Sequence, residues 1–273
     1  MKSVKCEIYH NNFQNFKPYA IPRAQLVIAD IPFNLGKNAF ASSPEWYIGG
    51  DNKNGESKKA GQKFFNTDEN FNLNEFFHFA NTLIKKEPKA KSDAGCMIVF
   101  CSFQQQTPLI EIAKKYGFKK SIPLTFFKKT SAQVLKVNMR VVGACEYGLI
   151  LYRDKLPKFR NGKNPDGTGI MIKNYFEYDG EVSEGIGFSY IQDGREVKKI
   201  HPTQKPIALL KHLIELHTDE GDIVIDPCCG SGTTLIAARE LGRPSYGFEV
   251  DRNFYKLAKE ALDKTSIQKG VFI

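Results

Sequence analysis

The chain has 273 residues, of which 41% are hydrophobic and 25% are charged, as in an ordinary globular protein with one large domain. No run approaches the ~18 apolar residues of a membrane span, and the first residues lack the apolar region of a secretory signal. We therefore expect a cytoplasmic protein with no membrane partner. The net charge of +9 favours a polyanionic partner such as a nucleic acid, although a basic protein without such a partner is the alternative.

The first half of the chain alternates strand and helix signals. Short apolar runs predict strands, and apolar positions spaced three or four residues apart predict helices. Residues 40–70 are polar and rich in Gly, Asn, Lys and Ser, so we predict a long mobile loop there. The predicted elements are a strand at 25–30, a helix at 73–86, a strand at 96–102, a helix at 108–117, and strands at 121–127 and 145–152.

The second half contains an irregular segment followed by a regular one. Residues 153–200 are rich in Gly, Lys, Asn and Asp and show weak periodicity, which predicts a lobe outside the core. Strands that alternate with helices predict an α/β fold with a doubly wound, mostly parallel sheet. The predicted elements after residue 201 are a helix at 206–217, a strand at 222–226, a helix at 233–241, a strand at 245–249 and a helix at 252–263.

The six cysteines do not form a metal-binding or disulfide pattern. No two of them have C-x-x-C spacing, and no histidine lies at the spacing of a zinc ligand. We expect reduced thiols and no metal at these positions, which are Cys6, Cys96, Cys101, Cys145, Cys228 and Cys229.

The stretch GDIVIDPCCGSGTTLIAARELG at 221–242 contains the strongest ligand-binding signal. A buried strand ends at Asp226, a turn with Gly230 and Gly232 follows, and a helix begins at Thr233. Glycines in such a turn let the backbone approach a ligand at the carboxyl edge of the sheet. Glu249 ends the next predicted strand, 23 residues after Asp226, where an acidic residue holds ribose hydroxyls in nucleotide-binding folds.

Residues around this turn discriminate between nucleoside cofactors. A dinucleotide site has Gly or Ala three residues after its second glycine, where this chain has Leu235. Asp226 would repel a pyrophosphate but suits a cationic group such as an α-ammonium, and no Lys follows Gly232 as it does in a P-loop. A ligand with an adenosine ribose and an amino-acid tail fits, which indicates S-adenosylmethionine. The alternative is a glycine turn that binds nothing.

The segment VIADIPFNLG at 27–36 places another carboxylate at the end of a buried strand. Asp30 ends the strand, Pro32 prevents its continuation, and Phe33 puts a large apolar ring in a turn. Considered alone, this segment favours a structural interpretation, in which Asp30 is a turn or helix-capping residue and Phe33 is a core residue. Because the chain also contains the glycine turn, we interpret the same residues as a functional corner.

Three motifs together resemble the amino-group DNA methyltransferases, which act on adenine N6 or cytosine N4. They are DPCCGSGTT at 226–234, HPTQKP at 201–206 and DIPF at 30–33, in the β order that puts the catalytic motif first. The family's catalytic motif usually reads Asp or Ser, Pro, Pro, aromatic, whereas this chain has Ile31 before Pro32 and Phe33 as the aromatic. The resemblance implies a Rossmann-like methyltransferase sheet with S-adenosylmethionine as cofactor. The implied cofactor-binding residues are Asp226, Pro227, Cys228, Gly230, Ser231, Gly232, Thr233, Glu249, His201, Thr203, Gln204 and Lys205.

The resemblance also implies a catalytic role for Asp30, Ile31, Pro32 and Phe33. An exocyclic amine is a poor nucleophile because its lone pair is delocalised into the ring. The Asp30 carboxylate and the Ile31 or Pro32 carbonyl can accept its N–H groups and offset the charge that develops as the methyl group arrives. Phe33 offers a face for stacking on a base, which must be flipped out of the duplex to reach this pocket.

The leading interpretation is a site-specific DNA methyltransferase acting on adenine N6, because Asp at position 30 favours adenine within the family. Three alternatives stay open. They are methylation of cytosine N4, DNA binding by a methyltransferase-like subunit without catalysis, and methylation of RNA or of protein glutamine. The expected partner is double-stranded DNA, while a homodimer and a cognate restriction enzyme are left open.

This interpretation divides the chain into three parts. Residues 1–152, with the loop 40–70, form the catalytic part, and residues 201–273 form the S-adenosylmethionine-binding part of the same domain. Residues 153–200 form the inserted target-recognition lobe, whose alternative is a disordered basic insert. Its basic residues are Arg153, Lys155, Lys158, Arg160, Lys163, Lys173, Arg195, Lys198 and Lys199.

Overall fold

The computed structural model describes residues 4–33, 71–128, 144–178, 189–192, 195–198 and 204–265. Within them, strands and helices alternate along most of the chain, and two short 3-10 helices (Phe13–Asn15 and Lys17–Tyr19) follow the first strand. The strands are β1 Cys6–His10, β2 Leu26–Asp30, β3 Cys96–Cys101, β4 Lys120–Lys128, β5 Cys145–Tyr152, β6 Tyr175–Tyr178, β7 Ser189–Gln192, β8 Arg195–Lys198, β9 Val224–Asp226 and β10 Ser245–Glu249. The helices are α1 Leu73–Leu83, α2 Gln106–Lys115, α3 Ile207–His217, α4 Thr233–Glu240 and α5 Arg252–Lys264.

Eight strands form one sheet in the order β1-β10-β9-β2-β3-β5-β4-β6. The first five in this order are mutually parallel, β5 is antiparallel to both of its neighbours, and β6 is parallel to β4. The predicted doubly wound, mostly parallel α/β sheet is therefore confirmed. β7 and β8 pair with each other as a separate antiparallel hairpin.

The central strands are apolar because helices cover both faces of the sheet. The side chains of β3, with the sequence CMIVFC, are all buried, and β2 is buried up to Asp30 at its end. One face packs on α1 and α2 around an aromatic cluster that includes Phe76, Phe77 and Phe79, and the other packs on α3, α4 and α5. Because helices bury both faces of the sheet, polar side chains lie at its carboxyl edge.

Several element boundaries differ from the predicted ones for local reasons. The helix predicted at 73–86 ends at Leu83, because Ile84 is extended and its segment bridges to Ala24. The helix predicted from residue 206 begins at Ile207, and Pro206 is its N-terminal cap, with φ −59° and ψ 134°. β1 was not predicted, and it pairs in parallel with β10 at the edge of the sheet. The loop predicted at 40–70 lies outside the described residues.

The described residues of the segment 153–200 contain more regular structure than the sequence predicts. It contributes β6 to the main sheet, through pairing with β4, and contains the β7–β8 hairpin. Four of its basic side chains are engaged within the protein. Arg153 contacts Asn81 and the Phe118 ring, Lys155 donates to the carbonyls of Pro88 and Lys89, and Lys158 and Arg160 form ion pairs with Asp219, Asp222 and Asp93. Residues 153–160 therefore attach the segment to the scaffold, and β6, β7 and β8 are regular elements within the lobe that the sequence predicts as irregular.

Candidate active site

Three adjacent parallel strands end in a carboxylate at the same edge of the sheet. Glu249 ends β10, Asp226 ends β9 and Asp30 ends β2, and these strands are neighbours in that order. Asp226 is 4% exposed and Glu249 9% exposed. Parallel strands bring their carboxyl ends together, and in open α/β sheets this edge is where ligands bind. The fold thus brings together acidic residues that are far apart in the sequence, since nearly two hundred residues separate Asp30 from Asp226.

Asp226 is the most deeply buried of the three carboxylates. Its Oδ1 accepts from the backbone N–H of Cys228 at 3.0 Å, and its side chain also forms a hydrogen bond with Thr234. Burial raises the pKa of Asp226 to about 7, because removal from water disfavours its charge and the nearby Asp30 and Glu249 add repulsion. A cationic group placed beside Asp226 would reverse this cost, so the site favours a positively charged ligand.

The glycine turn between β9 and α4 depends on close backbone packing. Gly232 caps α4 with a φ of 74°, and a Cβ at this position would lie 3.1 Å from the Cβ of Ala258. On β10, a Cβ on Gly247 would lie 2.8 Å from Leu235. Gly247 therefore makes room for Leu235, which stands where a dinucleotide site has its third small residue.

The N-terminus of α4 can also contact a ligand. No side chain caps its first turn, so its N–H groups can interact with an anionic group of a ligand.

Glu249 holds the glycine turn in place. Its two carboxylate oxygens accept from the backbone N–H groups of Gly230, at 2.8 Å, and Asp251, at 2.7 Å. Burial raises the pKa of Glu249 above its usual value, and these two backbone donors partly oppose that effect. A carboxylate can accept more than two hydrogen bonds, so this arrangement is compatible with additional ligand hydroxyls.

A buried ion-pair cluster adjoins Asp30. The Nζ atom of Lys205, a residue that is 7% exposed, lies 2.8 Å from Oδ2 of Asp30 and 3.4 Å from Oε2 of Glu146. The same ammonium lies 5.0 Å from the centre of the Phe100 ring. Burial would lower the pKa of Lys205, but the Asp30 and Glu146 carboxylates outweigh it and hold this pKa above its usual value. Lys205 therefore stays charged.

A second buried side chain orders the backbone after Asp30. Gln105 donates from Nε2 to the carbonyl of Pro32 at 2.9 Å, and its Oε1 accepts from the backbone N–H of Ser102 at 3.0 Å. Ile31 is buried, whereas Pro32 and Phe33 are half-buried. The turn that follows β2 is therefore tied to the turn that follows β3.

The structure brings most of the sequence-predicted residues to one edge of the sheet. Pro227, Ser231 and Thr233 are buried in the glycine turn or at the start of α4, and Cys228 is half-buried there. His201 and Thr203 lie outside the described residues, while Gln204 is half-buried before α3. Among the described residues, no group of His, Cys, Asp and Glu side chains could hold a metal ion.

Two residues of this region were not predicted from the sequence. Glu146 lies in β5, and Gln105 lies just before α2. The signal for Glu146 was available, because it is a carboxylate next to the apolar run of a strand, CEYGLILY. Gln105 had no comparable signal, because glutamine is common at the start of a helix.

Comparison with known proteins assigns the chain to a family. The family model described as DNA methylase, of the N6/N4 type, matches residues 24–260. The chain therefore belongs to the N6/N4 family of DNA methylases, which confirms the resemblance drawn from its motifs.

Individual relatives match over different lengths. The chain is 24% identical to the type II methyltransferase M.HpaI of Haemophilus parainfluenzae over 249 residues, which cover 87% of this chain and 68% of that protein. It is 36% identical to the type II methyltransferase M2.DpnII of Streptococcus pneumoniae over 33% of this chain and 37% of that protein. It is 39% identical to the DNA adenine methyltransferase YhdJ of Escherichia coli over 34% of this chain and 31% of that protein. The chain thus spans about two thirds of the first relative and about a third of the other two.

Solved structures share the fold. The structure of M1.HpyAVI in complex with SAM matches with a TM-score of 0.63 and 22% identity, covering 94% of this chain and 99% of that one. The PvuII DNA methyltransferase, described as cytosine-N4-specific, matches with a TM-score of 0.58 and 17% identity, covering 98% of this chain and 96% of that one. No helix among the described residues is both long and apolar enough to cross a membrane.

Proposed function

We propose that this protein is an S-adenosylmethionine-dependent DNA methyltransferase that methylates the exocyclic N6 amine of a flipped-out adenine. The observation that carries the proposal is the convergence of Asp30, Asp226 and Glu249 at the ends of three adjacent strands, beside a glycine turn. The membership of the chain in the DNA methylase family supports the reaction class.

The residues present fit S-adenosylmethionine. Asp226 would hold its ammonium group, because a buried carboxylate with a raised pKa gains most from a cationic partner. Glu249 would accept from the ribose hydroxyls, and the glycine turn admits the ligand next to the backbone. The other cofactor-binding residues that we propose lie on the same turn or in the HPTQKP segment. The bound cofactor supplies an electrophilic methyl group on a sulfonium.

The DIPF corner would bind the target amine. The Asp30 carboxylate accepts one N–H group of the amine, and we assign the second acceptor to the Ile31 carbonyl because the Pro32 carbonyl already accepts from Gln105. Both acceptors offset the positive charge that develops on nitrogen as the N–C bond forms and the C–S bond breaks. The nitrogen then releases one proton, for which Asp30 is the nearby acceptor. Phe33 would stack on the flipped base.

The choice of adenine is supported by Asp at position 30 and by the similarity to a DNA adenine methyltransferase. Cytosine N4 is the second candidate, because a fold neighbour is described as cytosine-N4-specific. Purified protein with S-adenosylmethionine and genomic DNA, followed by digestion and mass spectrometry, tests the proposal. We expect N6-methyladenine. N4-methylcytosine would overturn only the choice of base, whereas unmodified DNA alongside methylated RNA or protein would overturn the substrate class.

DNA binding should weaken steeply with salt, because lysines release counterions from the phosphates that they contact. We propose that the 153–200 segment recognises the target, with its exposed Lys173 on phosphate. Lys173→Gln should lower the slope of log affinity against log salt by about 0.9, the value for one phosphate contact. Lys155→Gln is the matched control, because this ammonium donates to the Lys89 carbonyl at 2.9 Å, and its slope should equal that of the wild type. A flat salt dependence of the wild type would show that the charge serves another purpose.

A further inference from the structure

Lys205 contacts the proposed catalytic carboxylate directly. Its ammonium lies 2.8 Å from Oδ2 of Asp30 and 3.4 Å from Oε2 of Glu146, and the side chain is 8% exposed, against 26% for Asp30 and 19% for Glu146. The buried cation thus joins the end of β2 to β5 from the segment before α3. It lies on the protein side of Asp30, which is the most exposed of the three.

The geometry restricts the Asp30 side chain. A carboxylate on a short side chain can rotate, and a single ammonium contact at Oδ2 fixes which oxygen faces the protein. Glu146, on a second strand, also contacts the ammonium. The ammonium is therefore held in place, and rotation of the Asp30 side chain would break its contact with Lys205. The Phe100 ring, 5.0 Å from the ammonium, closes a further side. The ammonium contacts therefore constrain the orientation of the Asp30 carboxylate.

The charges around Asp30 make a cation necessary. Asp226, Cys101 and Cys228 are within range of the Asp30 charge, and Glu249 acts on Asp226 in the same way. Glu146 shares the Lys205 ammonium with Asp30. Lys205 is the cation that the structure places in contact with Asp30 among the described residues. An opposite charge at this distance lowers the pKa of an acid by about 1–3 units, so it keeps a carboxylate ionised among like charges.

We propose that Lys205, held by Glu146, is a positioning residue that orients Asp30 and keeps it ionised for methyl transfer. This inference rests on the proposed function and deepens it. It assigns to the Lys of the HPTQKP segment a task at the target amine, in addition to the cofactor role inferred from the sequence. Lys205 does not itself touch the base in this scheme.

The test compares Lys205→Met with Lys205→Arg and with a control, Lys211→Met. Lys211 lies six residues further on, in α3, and its ion pair with Glu240, at 2.5 Å, is separate from the site. The measurements are single-turnover methylation as a function of pH, affinity for S-adenosylmethionine by calorimetry, and the Asp30 carboxyl pKa by carbon NMR. Denaturant unfolding of each variant checks that the chain is folded.

For Lys205→Met we expect the methylation rate to fall by about 100-fold, the cost of losing correct alignment at a reacting centre. The acidic limb of its pH profile, and the pKa of Asp30 by NMR, should rise by about 1–3 units. Lys205→Arg should restore the pH profile, because it keeps the charge. Affinity for S-adenosylmethionine should fall by much less than the methylation rate in Lys205→Met. The Lys211→Met control should match the wild type in both affinity and pH profile.

Two results would overturn the inference. One is an Asp30 pKa and a pH profile in Lys205→Met that equal those of Lys211→Met. The other is a loss of cofactor affinity that accounts for the whole loss of rate. Failure of the proposed function would look different, because the wild type itself would then transfer no methyl group to DNA, while the NMR measurement would still report on the ion pair.

Discussion

Asp30→Ala should transfer methyl groups to DNA about 100- to 1000-fold more slowly than the wild type, the usual cost of removing one preorganised acceptor from a developing charge. It should still bind S-adenosylmethionine, because the contacts that we assign to the cofactor come from Asp226, Glu249 and the glycine turn. The measurement is N6-methyladenine in digested product DNA, together with calorimetric titration of the cofactor.

Asp30→Asn provides the matched control for this change. It keeps the size of the side chain and one carbonyl acceptor but removes the charge that pairs with Lys205 at 2.8 Å. A loss in Asp30→Asn that approaches the loss in Asp30→Ala would assign the effect to charge. Methylation by Asp30→Ala at the wild-type rate would show that the corner is structural and that the mechanism is wrong.

Phe33 should contribute less than Asp30. Stacking of a base on an aromatic ring contributes about 1–3 kcal/mol, so Phe33→Ala should mainly weaken the binding of the flipped base. Phe33→Tyr should stay active, because only the face of the ring is used. A fluorescent base analogue at the target position, which brightens when it is unstacked, would report the two variants separately. A larger effect from Phe33→Ala than from Asp30→Ala would contradict this ranking.

Asp226→Asn should lose S-adenosylmethionine affinity by at least about 100-fold, because it removes one partner of a buried charge pair. The same change should stabilise the ligand-free protein at pH 8. The pKa of Asp226, about 7, is raised above its ordinary value of 3.8. A carboxylate with a raised pKa supports the folded state fully below its unfolded pKa and loses that contribution as the pH rises through 7. Above that pH the wild type carries a buried charge that the asparagine variant lacks.

The same pKa predicts proton release on cofactor binding. Because the pKa of Asp226 is raised to about 7, this carboxyl group is partly protonated near neutral pH, and its pairing with an ammonium should release protons. Wild-type affinity should therefore rise between about pH 6 and pH 7, below the range in which the α-ammonium of the ligand itself titrates. Calorimetry in buffers of different ionisation enthalpy measures the protons released. In Asp226→Asn any residual binding should lose most of this dependence, with Glu249 as the other carboxyl group of raised pKa. An unchanged affinity in this variant would refute the assignment of the ammonium site.

The sequence determined the fold class and predicted one half of the candidate site, because both depend on local patterns. Alternating strands and helices predict the parallel sheet, and the glycine turn after Asp226 lies in one continuous stretch with its own strand and helix. Leu235 already argued against a dinucleotide, and the structure shows how this larger residue is accommodated, since Gly247 on β10 makes room for it. Structural features that depend on residues within about 25 positions along the sequence could thus be predicted from it.

The tertiary structure decided which distant side chains meet at the proposed catalytic corner. The pairing of Lys205 with Asp30 and Glu146 depends on β2 and β5 lying on the two sides of β3, and strand order is not encoded in any single segment. The hydrogen bond from Gln105 to Pro32 likewise joins the ends of two strands that are neighbours only in the sheet. The basic residues 153–160 resembled a nucleic-acid surface in the sequence, but their charges are satisfied by acidic and carbonyl groups far along the chain. A charge pattern shows which side chains can pair, whereas the fold determines their partners, because electrostatic interactions depend on distance in space and not on distance along the chain.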